Sequence, residues 1–218
     1  MSNKNITVAI DGTAASGKGT LARSLAKEFN FAYLDTGKLY RASALIISKE
    51  NINYENIKDI KKVIKNFDFT NFDFYNDKLK SDEIGKLASM ISGYKELRQI
   101  LLEYQRNFST KVHDDKEGVI LDGRDIGTVV LPEADIKFYI TASISIRAER
   151  RWKELISLGQ STIKRRVEKD IRDRDERDSQ RKHSPLVAAP DAILIDTTNL
   201  DANQSFLLAK KYVEQGLN

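Results

Sequence analysis

The sequence predicts an α/β fold: a parallel five-stranded sheet with helices on both faces, interrupted by a small insert and a charged helical lid. Three observations predict it. Short apolar runs rich in β-branched residues, suited to buried strands, recur at 6–10, 31–34, 118–121, 136–140 and 192–195. Segments with helical spacing separate most of these runs, and regular strand–helix alternation implies a parallel sheet with crossover helices. The alternation lapses twice, over about 51–89 and about 159–184, which marks the insert and the lid. A chain of 218 residues with 40% hydrophobic residues needs only one domain, 1–218, with a core of 1–50, 90–158 and 185–218.

The first run, Ile6 to Ile10, breaks at Asp11-Gly12 into a loop of small residues ending in Gly17-Lys18, and Leu21, Leu25 and Phe29 then fall at helical spacing. Strand, glycine loop and helix in that order form the context of a phosphate-binding P-loop, so the fold is P-loop NTPase-type. A helix N-terminus presents unpaired N–H groups and about half a positive charge, and residues without bulk let the backbone wrap a polyphosphate. Gly12, Thr13, Ala14, Ala15, Ser16, Gly17, Lys18, Gly19 and Thr20 are therefore the expected ATP-binding segment. Lys18 is the mobile charge for the terminal phosphates. In the common pattern a hydroxyl follows the lysine directly; here Gly19 intervenes and the hydroxyl comes at Thr20, a form seen in nucleoside monophosphate kinases.

Phe31 to Leu34 reads as the second strand, ending in a polar turn, Asp35-Thr36-Gly37, before a helix that carries Tyr40 and Arg41. In the insert, FDFTNFDFY at 67–75 alternates aromatic with polar residues, which is strand periodicity, and the segment is expected to form a small antiparallel unit. Helical spacing returns from Ser89 to His113, with Arg98 and Arg106 on it. The run 118–121 ends in Asp122-Gly123-Arg124-Asp125, which puts carboxylates and a guanidinium at the edge where the P-loop opens. Asp122 is placed like an acid that helps hold Mg²⁺, with Thr20 as its companion, and Arg124 like a bidentate phosphate clamp.

A fourth strand at 136–140 leads to a helix with Arg147, Arg150 and Arg151, and Lys164 to Arg181 is almost wholly charged. Arg174, Asp178 and Arg181 recur at offsets of four and three, on one face of a lid helix. A fifth strand at 192–196 precedes a last helix expected to pack Phe206, Leu207 and Leu208 on the sheet.

The chain has no cysteine, which excludes disulfides and thiolate metal sites, and it has no apolar run of roughly 18 residues that would span a membrane. A cytoplasmic protein without a signal peptide or membrane partner is expected. Net charge of +4 suits polyanionic ligands, but the basic run is interleaved with acids, so no nucleic-acid partner is expected. No apolar interface stands out, and a monomer is expected.

The Gly-Lys-Gly-Thr loop, Leu34-Asp35-Thr36-Gly37 with Tyr40-Arg41, the block Asp122 to Val130, the run Arg174 to Asp178 and Ser184 to Val187 together resemble the bacterial cytidylate kinases, nearly end to end. The resemblance implies ATP-dependent phosphorylation of CMP and dCMP with Mg²⁺ entering alongside ATP, and it makes the insert the NMP-binding subdomain. It implies that Arg41 and Arg124 hold the CMP phosphate, that Thr36, Arg98, Asp125 and Arg181 surround the cytosine, and that Ser89, Arg174 and Asp178 read the ribose. Lys18, Arg124 and Arg177 become the catalytic cations. Thr36 stands where serine is common in the family and Lys80 where arginine is common. Transfer of the γ-phosphoryl in line needs no nucleophilic side chain, so His113 and His183 are read as incidental surface residues. The alternatives are a P-loop kinase for UMP, AMP or shikimate, and a nucleotide-binding regulator.

Overall fold

The structure, a computed structural model, describes residues 6–111, 113 and 115–217. Five strands, β1 (Ile6–Gly12), β2 (Phe31–Asp35), β3 (Gly118–Asp122), β4 (Ile136–Thr141) and β5 (Ile193–Asp196), form one sheet in the order β2-β3-β1-β4-β5. Every pairing is parallel. Strand order reverses beside β1, and ligands of such sheets bind at that switch point, outside the strands' C-terminal ends. Register brings the acids together there: Asp35 lies opposite Asp122, and Asp122 opposite Ile10 of β1.

The helices are α1 (Lys18–Glu28), α2 (Thr36–Lys49), α3 (Ile57–Lys65), α4 (Asp82–Ile91), α5 (Lys95–Thr110), α6 (Ile144–Ser157), α7 (Lys164–Gln180) and α8 (Ala202–Leu217). One core cluster joins α1 and α8 to the sheet through Leu25, Phe138, Ile140 and Val213. On the other face, Val119, Leu121, Ile126 and Val130 pack with Leu102 and Phe108 of α5. On α8 the buried residues are Ser205, Ala209 and Val213; Phe206 and Leu208 are half-buried, and Leu207 points outward, 49% exposed. The expected apolar triplet thus overreached, because three consecutive residues span too much of a helix's circumference to share one face.

The insert differs from its expectation. It is helical, not antiparallel: α3 and α4 with two short 3₁₀ turns, Phe69–Asn71 and Asp77–Lys80, between them. Asp68 accepts from the Thr70 N–H at 2.9 Å and Asn76 from the Lys78 N–H at 3.0 Å. These side chains satisfy locally the backbone donors that a ladder would have used. Phe67, Phe69, Phe72 and Phe74 gather edge to face, with centroids 5.1–5.8 Å apart, and pack toward Tyr104 of α5. Period-two aromatics therefore form a cluster at the foot of the insert. Ser89 lies on α4, and a break at Ser92–Tyr94 separates it from α5.

In the charged run the apolar residues Val167 and Ile171, one turn apart, are buried on Leu155 and Trp152 of α6 and on Ala14 of the P-loop. That two-residue stripe fixes which face of α7 looks inward.

Candidate active site

The P-loop conformation is dictated by its glycines. Gly12 has φ of 153°, and a Cβ there would lie 2.0 Å from the Ile140 carbonyl oxygen of β4. Gly17, at φ 92°, turns the chain into α1, and Ala15 is also left-handed at φ 58°. Lys18 folds back over the loop, its Nζ donating to the Thr13 carbonyl at 3.3 Å.

Asp11, the polar residue inside the buried β1 run, is a hook. Its two carboxylate oxygens accept the N–H groups of Ile126 and Gly127, each at 2.8 Å, tying the segment after β3 to the P-loop strand. Burial outweighs those hydrogen bonds and pushes its carboxyl up to about 6. A lone acid in an apolar strand was the available signal for this role.

A cavity of about 560 Å³ opens above these strand ends. Of the expected residues, Ala14, Ala15, Lys18, Gly19, Thr36, Arg41, Arg98, Asp122, Arg124, Asp125, Arg174, Arg177, Asp178 and Arg181 line it. Gly12, Thr13, Ser16 and Gly17 shape the loop behind. Thr20 is exposed on α1, where its hydroxyl accepts from Arg23 at 3.3 Å. Ser89 opens instead to a neighbouring hollow of about 270 Å³, and its hydroxyl accepts from Arg177 Nε at 3.3 Å. Lys80 pairs with Asp77 on the exposed rim, and Arg106 donates to the Val129 and Val130 carbonyls, away from the cavity. His113 is half-buried, its Nε2 2.8 Å from the Phe108 carbonyl.

Positive charge is crowded in this cavity. Desolvation, with Arg124 nearby, pushes the Lys18 ammonium down to about 7. Burial and Arg124 bring Arg174 down to about 9. Arg41 is lowered by burial and by Arg151. Three cations that hold their protons less tightly than in water describe a site short of negative charge, which a phosphate would supply. Arg124 is the exception: burial acts against its charge, but Asp178, which accepts from its Nε at 3.0 Å, raises it.

Arg41 reaches the cavity under α4. It donates to the Leu79 carbonyl at 2.6 Å and to Ser81 at 3.3 Å, and Gly85 makes the space: a Cβ there would lie 2.9 Å from the guanidinium.

At the far end, Arg98 donates to Asp125 at 2.5 Å and to the Ser92 carbonyl at 3.0 Å, with its guanidinium 5.4 Å from the Tyr40 ring centroid. Thr36 donates its hydroxyl proton to the Asp122 carbonyl at 2.7 Å. Asp178 lies 3.7 Å from Arg174 and 3.9 Å from Arg181, so one buried carboxylate serves three guanidinium groups and is held below the usual range by them against burial.

Asp122 accepts from the Tyr33 hydroxyl at 2.8 Å, and burial, with the Asp35 charge facing it, raises its carboxyl to about 7. Asp122 lies beside Gly19, its Oδ2 3.2 Å from where a Cβ would sit, and with Asp35 in register it makes an acidic corner next to the phosphate loop. Sequence reasoning missed Asp35 and Lys38, which line the cavity, and Arg147 and Asp175, which hold the P-loop backbone at Ala14. Asp35 caps α2 through the Lys38 N–H at 3.2 Å. For Asp35 the signal was a second strand ending in an acid in register with Asp122.

A family model described as cytidylate kinase matches residues 8–214. The chain belongs to the cytidylate kinase family. The cytidylate kinase of Rhodospirillum rubrum is 45% identical over 203 residues, covering 93% of this chain and 94% of its own. Those of Bartonella tribocorum and Fusobacterium nucleatum are each 41% identical, covering 97% of this chain and 95% and 98% of theirs. A solved structure from Eubacterium ventriosum shares the fold with a TM-score of 0.56 at 13% identity, covering 96% of this chain and 99% of that one. One from Thermus thermophilus does so with 0.50 at 18% identity and 98% coverage of both. Among the described residues no helix is long and apolar enough to cross a membrane.

Proposed function

We propose that the protein transfers the γ-phosphoryl group of ATP to CMP and dCMP, giving CDP and dCDP, with the P-loop holding ATP and the space beneath α4 holding the acceptor. The observation that carries this reading is the convergence of Lys18, Arg41, Arg124 and Arg174 on one cavity, three of them lowered first by burial and then by neighbouring guanidinium charges. Two phosphate chains meeting there relieve that excess. Lys18 attends the donor phosphates, Arg41 and Arg124 orient the acceptor phosphate, and Arg174 and Arg177 bring charge down from the lid. Donors fixed in advance around the transferring group supply the stabilisation that phosphoryl transfer needs, and the covering lid keeps water from acting as acceptor.

Magnesium entering with ATP fits the acidic corner, since it takes one or two carboxylates and completes its shell with phosphate and water. Asp122, held by Tyr33, is the candidate to hold it, directly or through water, whereas Thr20, with its hydroxyl on the exposed side of α1, is not placed to do so. When bound, the ion would neutralise charge on the donor phosphates.

Cytosine is the base this pocket fits. Thr36, which lines the cavity, spends its only proton on the Asp122 carbonyl, so toward a ligand its hydroxyl can only accept. It accepts from an exocyclic amine, which cytosine has and uracil lacks. Arg98 and Arg181, neutralised in part by Asp125, donate to the base's acceptors. Ser89, Arg174 and Asp178 are assigned to the ribose side. The insert (about 51–89) acts as the acceptor-binding subdomain, α7 as the lid, and the enzyme works as a cytoplasmic monomer in pyrimidine nucleotide metabolism. The test is transfer of label from γ-labelled ATP to CMP by the purified protein; label appearing only in inorganic phosphate would overturn the assignment.

A further inference from the structure

The lid and the P-loop meet at one carboxylate. Asp175 of α7 accepts the backbone N–H of Ala14 at 3.1 Å through one oxygen, and Arg147 of α6 donates to its other oxygen at 2.5 Å. The same guanidinium donates to the Ala14 carbonyl at 3.1 Å and to the Ala142 carbonyl, after β4, at 2.8 Å. Both polar backbone groups of Ala14 are thus held, the donor by the lid and the acceptor by the core, with Arg147 as the shared joint. Val167 and Ile171 of α7 bury against the Ala14 side chain, so apolar packing fixes the register at which Asp175 arrives. Ala14 directly precedes Ala15, whose left-handed backbone begins the wrap of the loop. A fork of this kind is directional: it forms only with α7 seated, and when α7 is seated it fixes the orientation of the Ala14 peptide.

We propose that Asp175 is a positioning residue that couples lid closure to the geometry of the phosphate loop, so that the loop reaches its transfer-ready form only when the lid is down. This rests on the kinase reading above. Asp175 touches no substrate in this role and acts through Ala14 and Arg147. An open lid leaves the Ala14 N–H and the Arg147 guanidinium without their carboxylate. ATP can then bind, but the loop is not held for transfer, and water has access.

The experiment compares the full-length protein with Asp175→Asn, which keeps shape and one acceptor but removes the charge that Arg147 needs. The expected result is a kcat for CMP lowered about 10- to 100-fold, KM for CMP within about threefold of the parent, and a larger share of ATP turnover ending in hydrolysis. Asp175→Glu restores part of kcat. A merely structural carboxylate would lower thermal stability without shifting the ratio of hydrolysis to transfer. Because the chain has no cysteine, Lys27→Cys and Ser179→Cys, both at exposed sites, give a clean spin-label pair across core and lid. With a non-hydrolysable ATP analogue the parent shows one short distance, and Asp175→Asn adds a longer one. Should Asp175→Asn fold poorly, Arg147→Lys, which keeps the charge but not the fork, is expected to give the same split. A kcat within twofold of the parent, or an unchanged hydrolysis ratio and distance, overturns the proposal. A parent inactive on CMP would overturn the kinase reading instead, and the distance measurement would still judge Asp175.

Discussion

Arg98 and Asp125 form a buried ion pair at 2.5 Å on the wall of the same cavity that holds Lys18 and Arg124. Burial works against the Arg98 charge, yet Tyr40 and Asp125 raise it, so the guanidinium is a fixed donor. Replacing Asp125 by Asn keeps the shape and leaves Arg98 and Arg181 short of negative charge. The expected result is a fall of roughly 10- to 100-fold in kcat/KM for CMP, or about 1.4–2.8 kcal/mol, and a CMP-to-UMP preference reduced at least tenfold. Initial rates with both acceptors check it; an unchanged preference would remove Asp125 from the base site.

Lys18→Met is expected to lower kcat by roughly 10³-fold or more, the scale on which charges at a transferring phosphoryl group act. It should not lower the melting temperature of the ligand-free protein. The ammonium, displaced to about 7 by desolvation and Arg124, is unfavourable there until phosphates arrive. Activity assays with parallel thermal melts test both halves.

Gly85→Ala separates stability from function. A helix interior favours Ala over Gly by up to about 1 kcal/mol, but the added methyl meets the Arg41 guanidinium at 2.9 Å. The melting temperature is expected to hold or rise while KM for CMP rises about tenfold and kcat changes less than threefold. A KM equal to that of the parent would mean that Arg41 does not hold the acceptor.

Asp11 gives a pH signature. Its folded value of about 6 lies above the ordinary 3.8, so the folded protein holds this proton more tightly than the unfolded chain. The contribution to stability is full below the ordinary value and lost as pH rises through the folded one. Relative to Asp11→Asn, wild-type stability should therefore decline by about 1 kcal/mol between pH 5 and pH 7 and stay flat above. Urea titrations at several pH values measure the difference, and a difference that grew with pH would contradict the burial argument.

The sheet was legible because its central strands are buried on both faces and even the edge strand β5, with Leu194 exposed, keeps an unbroken apolar run, and the P-loop because glycine, lysine and helix spacing all agree. The insert was not. Alternating phenylalanines at 67–74 carry strand periodicity, but Asp68 and Asn76 close local turns, and nothing in the spacing says which side chains will capture backbone donors. In the lid, the shared face of Arg174 and Asp178 could be read from their offset of four, but Arg181, expected on the same face, is the extended residue just past the end of α7, and Asp175, one residue from Arg174, could not be read at all. Its partners, Ala14 and Arg147, are 161 and 28 residues away in sequence and meet it only through the fold. Thr20 was expected from its place after the lysine, yet α1 carries its hydroxyl to the exposed side beside Arg23.

The most direct test of the central claim is ATP·Mg²⁺-dependent ADP formation by the purified protein with CMP, dCMP, UMP, AMP and shikimate offered separately at one concentration. Rapid turnover is expected with CMP and dCMP, and rates at least roughly tenfold lower with the other three. Equal or faster turnover on UMP, AMP or shikimate would contradict the cytosine site built from Thr36, Arg98 and Asp125, and no turnover on any acceptor would contradict the kinase assignment itself.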